Sequence, residues 1–265
     1  MILKRRVSLN GVQLDELDER ILITGIDEAA GRDSITAAGH AFGSGQRVVR
    51  KKRDTLDVTV KFALKIRNDD MNAREELLEA VNGWAANGGI LRLEKRSERR
   101  LYVVLAQAPG SGDMFNWSNE FTLVFRAYAM PYWEDDTVST FASGTKKEHA
   151  KNSGSFTMDV PGNAETVANI TVQNYSGAVI NNITVKVGNS QIAFTGLNLP
   201  GSGSLVIDHV HNAERFYFRA RIGSTSVMAK RTGADDFYVS PGTKTVTFSA
   251  DRAVIVTAGV RGRYI

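Results

Sequence analysis

Residues 55–66, TLDVTVKFALKI, place an apolar side chain at every second position. Polar or small residues stand between the apolar ones, which are Leu56, Val58, Val60, Phe62, Leu64 and Ile66. Successive side chains of a β-strand point to opposite faces, so this period of two predicts a strand with one face on a core. We therefore expect this strand to organise the core of the first half of the chain.

One helix is predicted after this strand, at about residues 72–86. Asn72 is the expected N-cap, and Glu75 follows three residues later as in a capping box. The expected apolar stripe consists of Leu77, Leu78, Val81, Trp84 and Ala85. Further strands predicted at 90–95, 101–107 and 121–129 complete the first sheet as antiparallel hairpins.

The second half has a different pattern, with short alternating segments and no helical pattern of useful length. Three Pro-Gly pairs, which suit turns between strands, lie there. This pattern predicts a β-sandwich or jelly roll. A chain of 265 residues is expected to form two domains. The polar segment before the second half is the predicted linker, which gives domains at 1–135 and 154–265 and a linker at 136–153.

Composition excludes several classes of protein. No run of 18 apolar residues could span a bilayer, which argues against a membrane protein. The absence of cysteine excludes disulfides, thiolate metal sites and cysteine nucleophiles. The first residues, MILKRRVSL, do not have the order of charged and apolar segments of a signal peptide. We therefore expect the chain to stay in the cytoplasm in which it is made.

A basic cluster precedes the central strand, although the net charge is only +4. The cluster comprises Arg47, Arg50, Lys51, Lys52 and Arg53. Three interpretations remain open: a solvated strand and turn, a contact between subunits, or a nucleic-acid surface. No aromatic residues are interleaved with the cluster, which disfavours binding of single-stranded nucleic acid.

No motif for catalysis or cofactor binding is evident. His209 and His211 could share a strand face beside Asp208, but nothing nearby completes a four-ligand metal site. The acidic pairs at 69–70, 135–136 and 235–236 are adjacent in sequence, and adjacent strand residues point to opposite faces, so they do not make a catalytic pair. We therefore predict no catalytic residues, no cofactor and no metal. An aromatic patch that could bind sugar remains open, formed by Tyr175, Phe216, Tyr217 and Tyr238.

The order of features in the first half resembles the siphovirus-type distal tail protein family of bacteriophages. The features are the strand at 56–62, a helix containing Trp84, the strands LRL at 91–93 and LYVV at 101–104, Trp117 before 121–125, and the closing element Pro131-Tyr132-Trp133. The segments LPGSGSLVID at 199–208 and PGTKTV at 241–246 extend the similarity into the second half. Family-motif residues are therefore expected at Trp84, Trp117, Pro131, Tyr132 and Trp133.

The resemblance implies a mainly β fold: an N-terminal β-sandwich with one flanking α-helix, and a C-terminal galectin-like β-sandwich. It implies a non-enzymatic structural component of the virion, a ring of six copies at the tail tip. Its expected partners are the tail tube protein, the baseplate hub or tail-associated lysin, the tape measure protein and a receptor-binding protein. No membrane and no specific nucleic acid are expected as partners. A carbohydrate-binding module that contacts cell-wall glycans is the alternative function, and a glycan hydrolase is a third.

Overall fold

The computed structural model describes residues 6–29, 32–39, 46–67, 69–109 and 120–265. The chain divides into two compact units. The first unit comprises Met1–Trp133 and His211–Arg215, and the second comprises Glu134–Val210 and Phe216–Ile265. The chain therefore passes between units at Trp133 and Glu134, and again at both ends of the segment His211–Arg215.

The first unit contains antiparallel strands and one α-helix, as predicted. Its elements are β1 (Val7–Leu9), β2 (Val12–Gln13), β3 (Ile21–Glu28), β4 (Arg32–Gly39), β5 (Gln46–Leu64), α1 (Met71–Ala85), β6 (Gly89–Leu93), β7 (Arg99–Gln107) and β8 (Glu120–Ala127), with 3-10 turns at Leu14–Glu16 and Glu94–Arg96. The strand order is β2-β1-β6-β7-β8-β5-β3, and β4 also pairs with β5. This places β5 between its neighbours β8 and β3.

The apolar positions of β5 are buried as the alternation predicts. Val58, Val60 and Phe62 are completely buried, whereas Lys61 between them is exposed. Helix α1 buries four of the five residues of its predicted apolar stripe, Leu77, Leu78, Val81 and Ala85, and Trp84 is half-buried. The mainly β fold class with one helix in the first half is therefore confirmed.

The N-cap of α1 differs from the predicted Asn72. Asp70 is the N-cap, because its Oδ1 accepts a hydrogen bond from the backbone N–H of Ala73 at 3.0 Å. Asn72 already lies within the first turn, so the capping box with Glu75 does not form. An ionised carboxylate satisfies a free N–H group and also interacts favourably with the helix dipole.

The second unit is a curled antiparallel β structure. The strands from Trp133 onwards are β9 (Trp133–Asp135), β10 (Ser139–Ala142), β11 (Lys151–Val160), β12 (Thr166–Asn174), β13 (Ile183–Val187), β14 (Ser190–Phe194), β15 (Ser204–His211), β16 (Phe216–Ile222), β17 (Thr225–Ser226), β18 (Arg231–Gly233), β19 (Tyr238–Val239), β20 (Gly242–Val260) and β21 (Arg263–Tyr264), with 3-10 turns at Lys147–His149 and Met228–Lys230. Trp133 of β9 and His211 of β15 belong to the first unit. No helix in the described ranges is long and apolar enough to cross a membrane.

Strand β20 changes its pairing partners along its length. Its first part, Gly242–Ala250, pairs with β11 and β13, and its second part, Val254–Val260, pairs with β10 and β12. Asp251 lies at the change of partner and accepts N–H groups of Asn181 and Asn182 at 3.0 and 2.8 Å. Burial alone would raise the pKa of Asp251, but these donors hold that pKa below its ordinary value. The sheet thus curls around one apolar core.

Residues 136–153 differ from the predicted linker. They contain β10, the 3-10 turn Lys147–His149 and the start of β11, and β10 pairs with β20 from Ser139↔Val260 to Ala142↔Thr257. Four residues of an edge strand carry too short an alternation to be recognised in a polar sequence.

The N-cap assignment predicts that Asp70→Ala lowers the free energy of unfolding by about 1 kcal/mol, because a helix N–H loses its acceptor. Asp69→Ala is the matched control and should have a much smaller effect, since the Asp69 side chain is not the cap. Urea unfolding followed by circular dichroism measures both. A larger loss for Asn72→Ala than for Asp70→Ala would contradict the assignment.

Candidate assembly interface

The first part of β5 forms a two-stranded ribbon with β4. Pairing runs from Arg32↔Thr55 to Gly39↔Gln46, and β8 and β3 pair only with the later part of β5, from Leu56 onwards. Among the described residues, no third strand pairs with either edge of this ribbon. Such a ribbon is marginally stable by itself, and its free backbone groups are a template for pairing with another chain.

The basic cluster lies on the β5 strand of the ribbon. Arg47, Arg50, Lys51, Lys52 and Arg53 all fall within the segment that pairs with β4. The predicted subunit-contact residues therefore occupy a two-stranded ribbon and not the main sheet. On the β4 strand, Ile35 is 58% exposed, which is unusual for a large aliphatic side chain in a strand.

Arg53 ties the base of the ribbon to the aromatic element that follows β8. Its guanidinium carbon lies over the ring of Tyr132, 5.7 Å from the ring centroid. This is a cation–π contact, which guanidinium groups make more often than ammonium groups do. One predicted contact residue and one predicted family-motif residue are thus brought together.

Trp133 is anchored by an ionic cluster in the same unit. The side chain is 1% exposed, and its indole Nε1–H donates to Glu28 Oε2 at 3.0 Å. Glu28 also pairs with Lys95 at 2.6 Å and with Arg96 at 3.1 Å. The Arg96 guanidinium lies 5.2 Å from the Trp133 ring centroid, so it contacts both the carboxylate and the ring.

The other motif residues have separate positions. Trp84 donates its indole N–H to the backbone oxygen of Val12 at 3.1 Å and meets the ring of Phe125 edge-on at 5.9 Å. Pro131 is buried next to the Tyr132-Trp133 element. Trp117 lies outside the described residues.

Glu28, Lys95 and Arg96 were not predicted from the sequence. They lie far apart from Trp133 along the chain, and each is an ordinary charged residue at the end of a strand or in a short turn. The position of Glu28 at the end of β3, four residues before the ribbon begins at Arg32, is the one local signal that could have pointed to it.

A second charged pair crosses the main sheet at its outer face. Arg126 of β8 faces Asp57 of β5 in register and makes two hydrogen bonds with its carboxylate, at 2.6 and 2.7 Å. These bonds raise the pKa of Arg126 above its ordinary value. The pair fixes the register of the strand that carries the ribbon.

The acidic pairs and histidines weighed for chemistry have structural partners. Asp70 caps α1, Asp135 Oδ2 accepts from the hydroxyl of Tyr264 at 3.2 Å, and Asp235 pairs with Arg231 at 3.0 Å. Both ring nitrogens of His209 face side chains, those of Asn169 and Asp236, and so are not directed at a metal site. Within the described ranges, no three histidine, aspartate or glutamate side chains converge to hold a metal ion.

Comparison with solved structures gives one extensive similarity. The chain is similar to the SPP1 Dit protein, described as a paradigm of the hub adsorption apparatus in phages that infect Gram-positive bacteria. The two are 12% identical, with a TM-score of 0.66 over 97% of this chain and 98% of that one. The chain therefore shares that fold along nearly its whole length, which confirms the predicted resemblance at the level of the fold.

Two more distant similarities are to chains of the phage P2 baseplate in its activated conformation, with Ca and with Sr. Each is 8% identical, with TM-scores of 0.45 and 0.44 over 98% and 96% of this chain and 99% and 97% of those. No family model matches the chain, and no curated protein matches it in sequence.

The anchoring cluster predicts that Trp133→Phe lowers the free energy of unfolding by about 1.5–3 kcal/mol, because the Glu28 carboxylate loses a charged hydrogen bond. The matched control is Trp84→Phe, which removes an indole bond to a neutral backbone oxygen and should have a smaller effect, near 1 kcal/mol. Chemical denaturation of both full-length variants measures the difference. Equal losses would contradict the role assigned to Glu28.

Proposed function

We propose that this chain is a non-enzymatic structural protein of a bacteriophage tail tip that assembles into a ring of six copies. The observation that carries this proposal is the shared fold with the SPP1 Dit protein over both units. A shared fold supports a function only by analogy, so the surface of this chain must supply a means of assembly.

The ribbon of β4 and β5 supports the assembly step. It has two open strand edges among the described residues, an exposed isoleucine and five basic residues, and its base is fixed by the Arg53–Tyr132 contact. A closed ring uses a heterologous contact in which one surface meets a different surface of the next copy. We propose that the ribbon supplies one side of that contact.

In the tail, this ring joins the tail tube protein to the baseplate hub or tail-associated lysin. The tape measure protein and a receptor-binding protein are further proposed partners. This role needs no catalytic group, and the carboxylates weighed for hydrolysis cap a helix or bind an arginine, a tyrosine or a histidine. The protein then resides in the virion after synthesis in the host cytoplasm.

Charge reversal of the ribbon should disrupt the ring. We expect the triple variant Arg50→Glu, Lys51→Glu and Lys52→Glu to need a protein concentration ~10-fold higher or more for half of the chains to assemble. The reason is that like charges or unmatched charges at an interface cost several kcal/mol. Sedimentation across a concentration series measures assembly, with tail tube protein present in a second series.

The matched control reverses Lys146, Lys147 and Lys151, which are exposed residues of the second unit, and makes the same change in net charge. This control should assemble as the wild type does. If the ribbon variant still formed the ring that the wild type forms, the contact between copies would lie elsewhere. A wild type that stays monomeric with tail tube protein would contradict the ring itself.

A carbohydrate-binding function is the second candidate, favoured by two exposed aromatic side chains. Tyr217 and Tyr238 of the second unit are 49% and 48% exposed, whereas Phe216 packs on the ring of His209. Exposed aromatic rings are suited to stacking on sugar faces.

The glycan function predicts saturable binding of cell-wall polysaccharide, weakened ~10-fold by Tyr217→Ala with Tyr238→Ala. Calorimetry with the full-length chain measures it, and Tyr128→Ala, an exposed tyrosine of the first unit, is the control. Absence of saturable binding would remove this candidate and leave the structural role untouched.

A further inference from the structure

Strand β16 presents one aromatic and two basic side chains on its outward face. Its even-numbered residues from Phe218 to Ile222 pack on the core of the second unit. Successive side chains of a strand point to opposite faces, so Tyr217, Arg219 and Arg221 share the other face. Tyr217 is 49% exposed, and the two arginine side chains are 39% and 38% exposed. We call these three residues the β16 cluster.

The charges at the β16 cluster do not balance. Asp208 of β15 accepts hydrogen bonds from Nε and Nη2 of Arg219 at 2.6 and 2.8 Å. Arg221 Nη2 lies 3.9 Å from the same carboxylate, and Arg221 Nη1 donates to the backbone oxygen of Gly223 at 3.0 Å. Among the residues that the structure describes, no second carboxylate pairs with either guanidinium group. Two positive charges therefore face one negative charge.

Asp208 holds the Arg219 guanidinium beside the Tyr217 ring. The hydrogen bonds from Arg219 to Asp208 raise the pKa of Arg219 above its ordinary value, and Tyr217 lies close enough to add to that effect. A guanidinium group that makes two parallel bonds to a carboxylate has a defined orientation. The aromatic ring and the positive charges thus lie side by side on one rigid strand.

This combination fits a ligand that has both a ring and a negative charge. An exposed tyrosine ring is suited to stacking on a sugar face. The planar guanidinium group binds a carboxylate through two hydrogen bonds. A protein partner would instead need an apolar centre to the interface, and Tyr217 is the one large apolar side chain that is exposed along β15 and β16, both fully described.

We propose that the β16 cluster binds an acidic sugar, that is, a pyranose ring that carries a carboxylate. Tyr217 stacks on the ring. Arg221 binds the carboxylate, because its contact with Asp208 is the longer one, and Arg219 supports it. This proposal rests on the carbohydrate-binding candidate function and adds which class of sugar the second unit selects.

Three probes of similar length separate the ring from the charge. The first is cellotetraose, which has rings without charge. The second is cellotetraose with its primary alcohols oxidised to carboxylates, and the third is tetraglutamate with both ends capped, which has the charges without the rings. Calorimetry with the full-length chain at low salt should show saturable binding of oxidised cellotetraose, at least ~10-fold tighter than either other probe.

Two variants assign the contacts. Arg221→Gln should weaken binding of oxidised cellotetraose ~10-fold, because a charged hydrogen bond is lost, and should leave binding of cellotetraose unchanged. Tyr217→Ala should lower the affinity for oxidised cellotetraose to that for tetraglutamate. The matched control is Lys186→Gln, which removes one positive charge from an exposed position of β13 in the same unit and should bind as the wild type does.

The possible failures are distinguishable from one another. Equal affinity for both sugars would overturn the selection of acidic sugars and leave the carbohydrate-binding candidate standing. Equal affinity for oxidised cellotetraose and tetraglutamate would show that the cluster recognises charge alone, as an acidic peptide would supply. If none of the three probes bound, both the proposal and the carbohydrate-binding candidate would be wrong. Ring assembly, measured by sedimentation, is independent of all these outcomes.

Discussion

The structure of the first unit depends on strand β5, whose two parts pair with different strands. In β5 the apolar alternation begins at Leu56, and from there to Leu64 the strand is flanked by β3 and β8 with its inward face buried. Before Leu56 the same strand carries basic residues and pairs only with β4 among the described residues. Burial of apolar side chains therefore fixes the part of the strand from Leu56 onwards in the core. The register pair Asp57–Arg126 stands at this boundary.

The second unit uses a long strand in a comparable way. In β20 the partners change near Asp251, and the side chains on both parts face one core. The carboxylate of Asp251 satisfies backbone groups of Asn181 and Asn182 at the change of partner. Where a strand changes its partners, some backbone N–H groups have no carbonyl acceptor on a neighbouring strand. A nearby carboxylate accepts these N–H groups and so avoids the free-energy cost of leaving them without a hydrogen bond. This arrangement allows a single strand to pair with four others around one core.

Elements with a local periodic pattern were predicted from the sequence, whereas contacts between residues far apart along the chain were not. The strand around Val60, helix α1 and the mainly β class were visible because alternation and a 3.6-residue period are local signals. The N-cap was misplaced from Asp70 to Asn72 because both residue types are good caps and they stand two positions apart. The Glu28–Trp133 anchor and the His209–Asp236 contact join residues far apart in the chain, and no local pattern distinguishes those side chains from solvated ones. Strand β10 was read as a linker because its four residues are too few for an alternation to be recognised within a polar segment, although Phe141 packs against the core.

The proposed role requires this chain to close into a ring at the end of a tail tube. Cryo-electron microscopy of the purified full-length chain, mixed with the tail tube protein of the same phage, can show whether it does. We expect closed rings of six copies seated on tube ends, with the ribbon of β4 and β5 at the contact between neighbouring copies. Bare tube ends beside single, unassembled chains would contradict it.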